Sequence, residues 1–186
     1  MKPGRLTLCG LFTALISILS IISIPLPAGV PISLATLGVY LCALLLPPSL
    51  SLASVSAYVA LVALGVPFTA KGGAGVGYLL GPTGGFIFGY LVLAFIIGII
   101  GIIPRARDAV AVALGTLCFY AVATVWFVAA TGGGGTFASA LGACVLPFLP
   151  GDILKIVVSL MLSARLKPYL RPKIPAGPSC GVPDVR

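Results

Sequence analysis

The stretch FLPGDILKIVV places Asp152 and Lys155 three residues apart inside an otherwise apolar run. The chain carries only three acidic residues, Asp108, Asp152 and Asp184, so one of them in such a setting calls for a reason. Asp offers hydrogen-bond acceptors and Lys offers donors. On a helix, residues three apart share a face, with Cβ atoms about 5–6 Å from each other. The two together suit a polar ligand that carries donors beside an acceptor, such as an amide, a urea or an amino-acid head group. The plainer reading is a self-neutralising ion pair that caps a helix, since an acid in a first turn is favoured by the free N–H groups and the helix dipole. Its cost counts against it. Each charge at the centre of a membrane span costs about 2.5–3.5 kcal/mol on insertion scales, and ionisable residues at such depth are by default candidates for function.

The inventory narrows the chemistry further. There is no His, Glu, Asn or Gln anywhere in the chain. That removes most metal-ligand sets, the Ser-His-Asp arrangement and the paired glutamates of many ion-coupled carriers. A membrane enzyme would have to work with Asp152 and Lys155 as its only acid–base pair. The five cysteines, at 9, 42, 118, 144 and 180, form no CxxC, and their odd number and wide spacing argue against a disulfide framework.

The elements that position the pair are membrane helices. The chain is 60% hydrophobic and 8% charged, against roughly 25% charged for a soluble domain, and its mean hydropathy is +1.23. Spans of about 20 apolar residues are expected. They read as 6–25, 32–46, 50–65, 85–103, 109–130 and a last segment, 137–166, whose regular helix starts near Pro150 because Pro fits a first helical turn. The first resembles a signal peptide after Lys2 and Arg5 but lacks a clean cleavage site, and is read as a retained span. From Pro150 to Arg165 the helix rises about 24 Å against a core of about 30 Å, which puts the pair in the outer part of the membrane. Residues 1–167 form one six-helix membrane domain; 168–186 are a basic, Pro/Gly-rich tail expected to be disordered.

Six spans put both termini on one side. Lys2, Arg5, Arg105, Arg107, Arg165, Lys167, Arg171, Lys173 and Arg186 then share it, nine of the eleven basic residues. The positive-inside rule makes that side cytoplasmic. The +8 net charge reflects topology and attraction to anionic lipid rather than nucleic-acid binding.

The outer stretch GVPFTAKGGAGVGYLLGPTGG, 65–85, has too many glycines and prolines for a regular helix. It is not a nucleotide loop, because Lys71 precedes the glycines and no strand leads into it. It reads either as a connector or as a binding loop, whose glycines, Gly73 among them, let backbone approach a ligand.

GVPISLATLGVYLCALLL, then GVPFTAKGGAGVGYLLGPTGGFIFGY, then PGDILK resemble the BioY family, the biotin-binding S components of energy-coupling factor transporters. The resemblance covers roughly residues 5 to 167. It implies an all-α S-component fold of six transmembrane helices in the cell (inner) membrane, with no enzymatic activity and no cofactor. It implies capture of biotin from outside, and transport with a transmembrane T component and two ABC-type ATPases. Asp152 would accept from a ureido N–H of biotin and Lys155 would donate to its carbonyl; the competing assignment gives Lys155 the biotin carboxylate, which Lys71 or loop N–H groups otherwise take. Tyr40, Tyr78, Phe86 and Tyr90 are candidate walls for the rings, or ordinary packing aromatics. The small residues Cys9, Gly10, Thr13, Ala14 and Ser17 of the first span would meet the T component, or pack internally. An S component for another vitamin, and a stand-alone secondary biotin carrier using Asp152 as its relay, are the alternatives.

Overall fold

The computed structural model describes residues 3–24, 32–70, 72–101, 108–131, 142 and 148–170. The six expected spans are each a helix: α1 (Pro3–Ile21), α2 (Ala35–Leu45), α3 (Pro48–Ala63), then, after a short α4 (Val76–Leu80), α5 (Gly84–Ile100), α6 (Asp108–Ala130) and α7 (Leu149–Leu170). Prolines mark the starts. Pro48 opens α3, where its missing N–H costs nothing, and Leu46 ahead of the Pro47–Pro48 pair is extended, as residues before proline tend to be. α7 starts at Leu149 with Pro150 in its first turn. It runs on to Leu170 through Pro168, and residues 171–186 of the expected tail lie outside the described residues.

Three local features differ from the sequence expectation. The first helix stops at Ile21 rather than 25, because the chain turns into a strand, β1 (Ser23–Ile24), paired antiparallel with β2 (Ile32–Ser33) in the register Ser23↔Ser33 and Ile24↔Ile32. The second helix accordingly begins at Ala35, not 32. Within 65–85 a regular helix does form. Gly75, at φ 87°, supplies the left-handed turn that the chain needs to enter α4, and extended Gly81 ends it one turn later.

α2 is the centre. Ten of its eleven residues are buried, and it packs against α1, α3, α5 and α7. A helix that is apolar all round belongs inside. At 1.5 Å per residue it rises only about 16 Å, too little to cross a core of about 30 Å unaided. By length and composition α1 and α6 suffice on their own. α5 and α6 approach closely because small residues line their contact. A Cβ on Gly85 would stand 2.4 Å from Cβ of Trp126, and one on Gly89 would stand 2.7 Å from the ring of Phe119.

Polarity runs inside out. Leu6, Leu11, Ile18, Phe95, Leu117 and Met161 are exposed, while Ser51, Ser54, Thr124, Asp152, Lys155 and Ser159 are buried. Such a continuous apolar surface fits lipid rather than water. The small residues of α1 divide between the two readings. Cys9, Thr13 and Ser17 point inward, and Thr13 Oγ1 donates to Ser54 O at 3.0 Å. Gly10 and Ala14 face out along a groove of about 520 Å³ with Leu6, Ile18, Ala57 and Leu61.

Candidate ligand-binding site

The start of α7 fixes the pair. The Asp152 N–H donates to Phe148 O at 2.8 Å, and the next turn brings the Lys155 ammonium to Asp152 Oδ1 at 2.8 Å. Both residues are buried, at 3% and 6% exposure. Every donor of Lys155 has an acceptor, since Nζ also reaches Ser33 O on β2 at 2.7 Å and Thr36 Oγ1 on α2 at 3.2 Å. Thr36 Oγ1 stands 3.5 Å from Asp152 Oδ1, and the Tyr120 hydroxyl of α6 donates to Oδ2. Three helices therefore meet at one carboxylate, and β2 joins them through Lys155. Two charges can be buried here because each is paired and hydrogen-bonded.

An aromatic cluster leads from the carboxylate toward the outer loop. Tyr120 packs on Phe119 with ring centroids 5.4 Å apart, and Phe119 stacks on Tyr90 at 5.6 Å and 7°. Tyr90 meets Tyr58 at 6.3 Å, and Phe86 bridges Phe119 and Phe148 at 5.9 and 6.0 Å. The Tyr90 hydroxyl lies within electrostatic reach of Asp152, Tyr58 and Tyr78. On the far side of this cluster is a cavity of about 40 Å³ among Ser20, Tyr58, Thr69, Tyr78, Thr83 and Phe86. A polar rim surrounds it: Ser20 Oγ and Tyr58 OH are 2.8 Å apart, and Thr69 Oγ1 donates to Gly73 O at 2.6 Å. Ser23 Oγ donates to Ala70 O at 2.6 Å, which ties the β-hairpin to the loop beside the cavity.

Most residues singled out from the sequence converge here. Asp152 and Lys155 are in contact; Tyr90 lies within electrostatic reach of Asp152, and Tyr78 and Phe86 line the small cavity beside the outer loop. Gly73 belongs to the loop, where a Cβ would stand 2.2 Å from the ring of Tyr78, so only glycine lets that ring lie against the backbone. Tyr40 sits one layer back: its hydroxyl pairs with Thr116 Oγ1 at 2.9 Å, within electrostatic reach of Asp152. Lys71 lies outside the described residues. Sequence reasoning missed Ser33, Thr36, Tyr58 and Tyr120. The signal for Tyr120 was a stripe of hydroxyls, Thr116, Tyr120 and Thr124, four residues apart on an apolar helix. The arrangement offers a buried acceptor and a buried cation to a neutral polar group, beside aromatic faces for a ring. Among the described residues no group of His, Cys, Asp and Glu could hold a metal ion.

Comparison with known proteins identifies the family and the fold. The chain is 38% identical over 181 residues to the biotin transporter BioY of Rhodobacter capsulatus, covering 89% of this chain and 94% of that one. It is 33% identical to a probable biotin transporter BioY of Pyrococcus horikoshii, over 90% and 98%, and 34% identical to the Thermotoga maritima biotin transporter BioY, over 88% and 95%. Its fold matches the crystal structure of the S-component for biotin from an ECF-type ABC transporter, with TM-score 0.79 at 29% identity over 88% of this chain and 90% of the other. The all-α S-component architecture is therefore this chain's own. The BioY family model matches residues 1–172, and the chain belongs to the BioY family.

Proposed function

We propose that this chain is the high-affinity biotin-binding subunit of a vitamin uptake transporter, taking biotin from the outer face of the cell membrane. The observation that carries the reading is the Asp152–Lys155 pair, buried beside the aromatic cluster of Tyr90 and Phe119. Biotin's ureido group presents one N–H donor to Asp152 and a carbonyl to Lys155, in place of one of the acceptors, Ser33 O or Thr36 Oγ1, that hold the ammonium here. Its fused ring takes the aromatic faces of Tyr78, Phe86 and Tyr90. Lys71 or loop N–H groups take the carboxylate. The names carried by its relatives support the ligand.

Ligand pockets are typically about 300–1,000 Å³, whereas the cavity here holds about 40 Å³. Entry of biotin therefore requires the outer cap to part, and the Ser23–Ala70 tie between hairpin and loop is the contact to break. Arg5, Arg165 and Lys167 lie at the inner ends of α1 and α7, with both termini in the cytoplasm. No phosphate-binding loop occurs in the sequence, so ATP-driven accumulation needs a T component and two ABC-type ATPases supplied as separate chains.

The test is isothermal titration of the purified protein with biotin, with thiamine and riboflavin as controls. Submicromolar biotin binding and no response to the other two is the expected result. Preference for another vitamin, or no biotin binding, overturns the reading.

A further inference from the structure

Among the described residues, Thr124 Oγ1 is the one buried side-chain acceptor without a hydrogen-bond partner. Thr124 is fully buried, at 0% exposure. Threonine on a helix ordinarily returns its hydroxyl to the carbonyl four residues back. Thr13, Thr116 and Thr131 do so here, to Cys9 O at 2.9 Å, Val112 O at 2.7 Å and Phe127 O at 2.8 Å. Thr124 does not, and its buried hydroxyl has no partner in the folded chain. Buried polar groups in that condition call for an explanation.

Its place on α6 supplies one. Thr116, Tyr120 and Thr124 stand at successive four-residue steps, about 6 Å each along the helix. The first is paired with Tyr40 and the second with Asp152. α6 and α7 run antiparallel, with Lys167 paired to Asp108 at one end and Tyr120 to Asp152 further along. Thr124 is thus one turn beyond Tyr120, in the direction of the α7 start.

The hydrogen-bond inventory of the site then leaves a gap of the right kind. A carboxylate has about four lone-pair sites. Lys155 and Thr36 face Oδ1, and Tyr120 occupies Oδ2, which leaves about one acceptor site free. A cyclic urea carries two N–H donors that diverge from each other. One of them finds Asp152. The other needs an acceptor several ångströms away.

We infer that Thr124 Oγ1 is a specificity-determining ligand contact, accepting from the second ureido N–H of the bound ligand. The inference rests on the biotin reading of the Asp152–Lys155 site and adds to it a residue that selects a two-donor urea over a one-donor carbamate.

The test uses Thr124→Val, which keeps the shape and removes the acceptor, and Thr124→Ser, which keeps the acceptor. Three ligands are titrated calorimetrically into the detergent-purified full chain: biotin, and its two cyclic carbamate analogues, in which one or the other ureido N–H is replaced by ring oxygen. Thr124→Val should bind biotin about tenfold more weakly than wild type, and Thr124→Ser within about threefold of it. For one carbamate, the one that has lost the N–H facing Thr124, wild type and Thr124→Val should be equal. The ligand-free Thr124→Val protein should melt no lower than wild type, because it loses an unpaired buried hydroxyl. Equal biotin affinity of Thr124→Val and wild type overturns the inference. So does a uniform loss across all three ligands, or a lowered melting temperature in Thr124→Val, since either assigns the hydroxyl a structural role. Failure of wild type to bind biotin overturns the functional reading itself, and the inference with it.

Discussion

Tyr120 on α6 donates its phenolic hydrogen to Asp152 Oδ2 on α7, across 32 residues of sequence. The bond leaves Oδ1 to Lys155 and Thr36, and so decides which part of the carboxylate faces a ligand. Tyr120→Phe removes the donor and keeps the ring packed on Phe119. A hydrogen bond to a charged group is worth about 1.5–3 kcal/mol, so a freed carboxylate should bind biotin roughly tenfold or more weakly. Tyr40→Phe is the control, because the Tyr40 hydroxyl pairs with Thr116 and not with the carboxylate. Titration calorimetry of both variants should show the loss in the first only; equal effects would remove Tyr120 from the site's orientation.

Asp152→Asn attacks both folding and binding. It leaves Lys155, 6% exposed, without its counter-charge, and breaking a buried pair by removing one partner costs about 3–5 kcal/mol. Thermal unfolding in detergent should shift down by several degrees, and biotin affinity should fall at least tenfold. Retention of wild-type affinity by the folded fraction would take Asp152 out of the site.

Lys155→Ala distinguishes the two ends of biotin. If the ammonium meets the ureido carbonyl, the variant loses affinity equally for biotin and for its methyl ester. If it meets the carboxylate, the loss is large for biotin and small for the ester. The neighbouring Asp152, Ser33 and Thr36 group favours the first outcome, because the ammonium is already directed at neutral acceptors as well as at a charge.

Gly73→Ala should act through Tyr78. The new methyl would stand 2.2 Å from that ring, which must swing out of the wall of the cavity. Affinity should drop severalfold with little change in melting temperature, because the loop lies outside the helical core. An unchanged titration would show that Tyr78 does not line the bound state.

What the sequence made legible follows from scarcity and punctuation. Long apolar runs divided by Pro25, Pro47, Pro48 and Pro150 mark six helices, because proline stops or starts a helix for steric reasons. Asp152 and Lys155 stand out because charge is rare in this chain and expensive at that depth. The β1–β2 pair was not legible, since two-residue strands in an Ile-rich run carry no period of their own. α4 was hidden by the glycines around it. Thr36 and Tyr120 meet Asp152 from 116 and 32 residues away, a meeting made by helix packing rather than by spacing. A tyrosine in an apolar helix reads first as packing, and the hydroxyls of Thr116 and Thr124 beside Tyr120 gain their meaning from the carboxylate opposite.

Ala14→Trp tests the outward half of α1. Ala14 and Gly10 are exposed, and a Cβ at Gly10 would meet nothing within 4 Å, so this face accepts a close neighbour in the membrane. The inward half, with Thr13 held to Ser54, is already committed to the fold. An indole at position 14 fills the groove between α1 and α3 without touching the Asp152–Lys155 site, which is built on α2, α6 and α7. Biotin binding by the isolated variant should match wild type within about twofold. Co-purification with a T component and its ATPases should be lost, and with it ATP-dependent biotin uptake into vesicles. Loss of binding in the isolated chain would mean that the groove is part of the ligand path. Biotin accumulation by the chain alone, driven by a proton gradient and unaffected by Ala14→Trp, would replace the subunit reading with a secondary carrier in which Asp152 bears the proton.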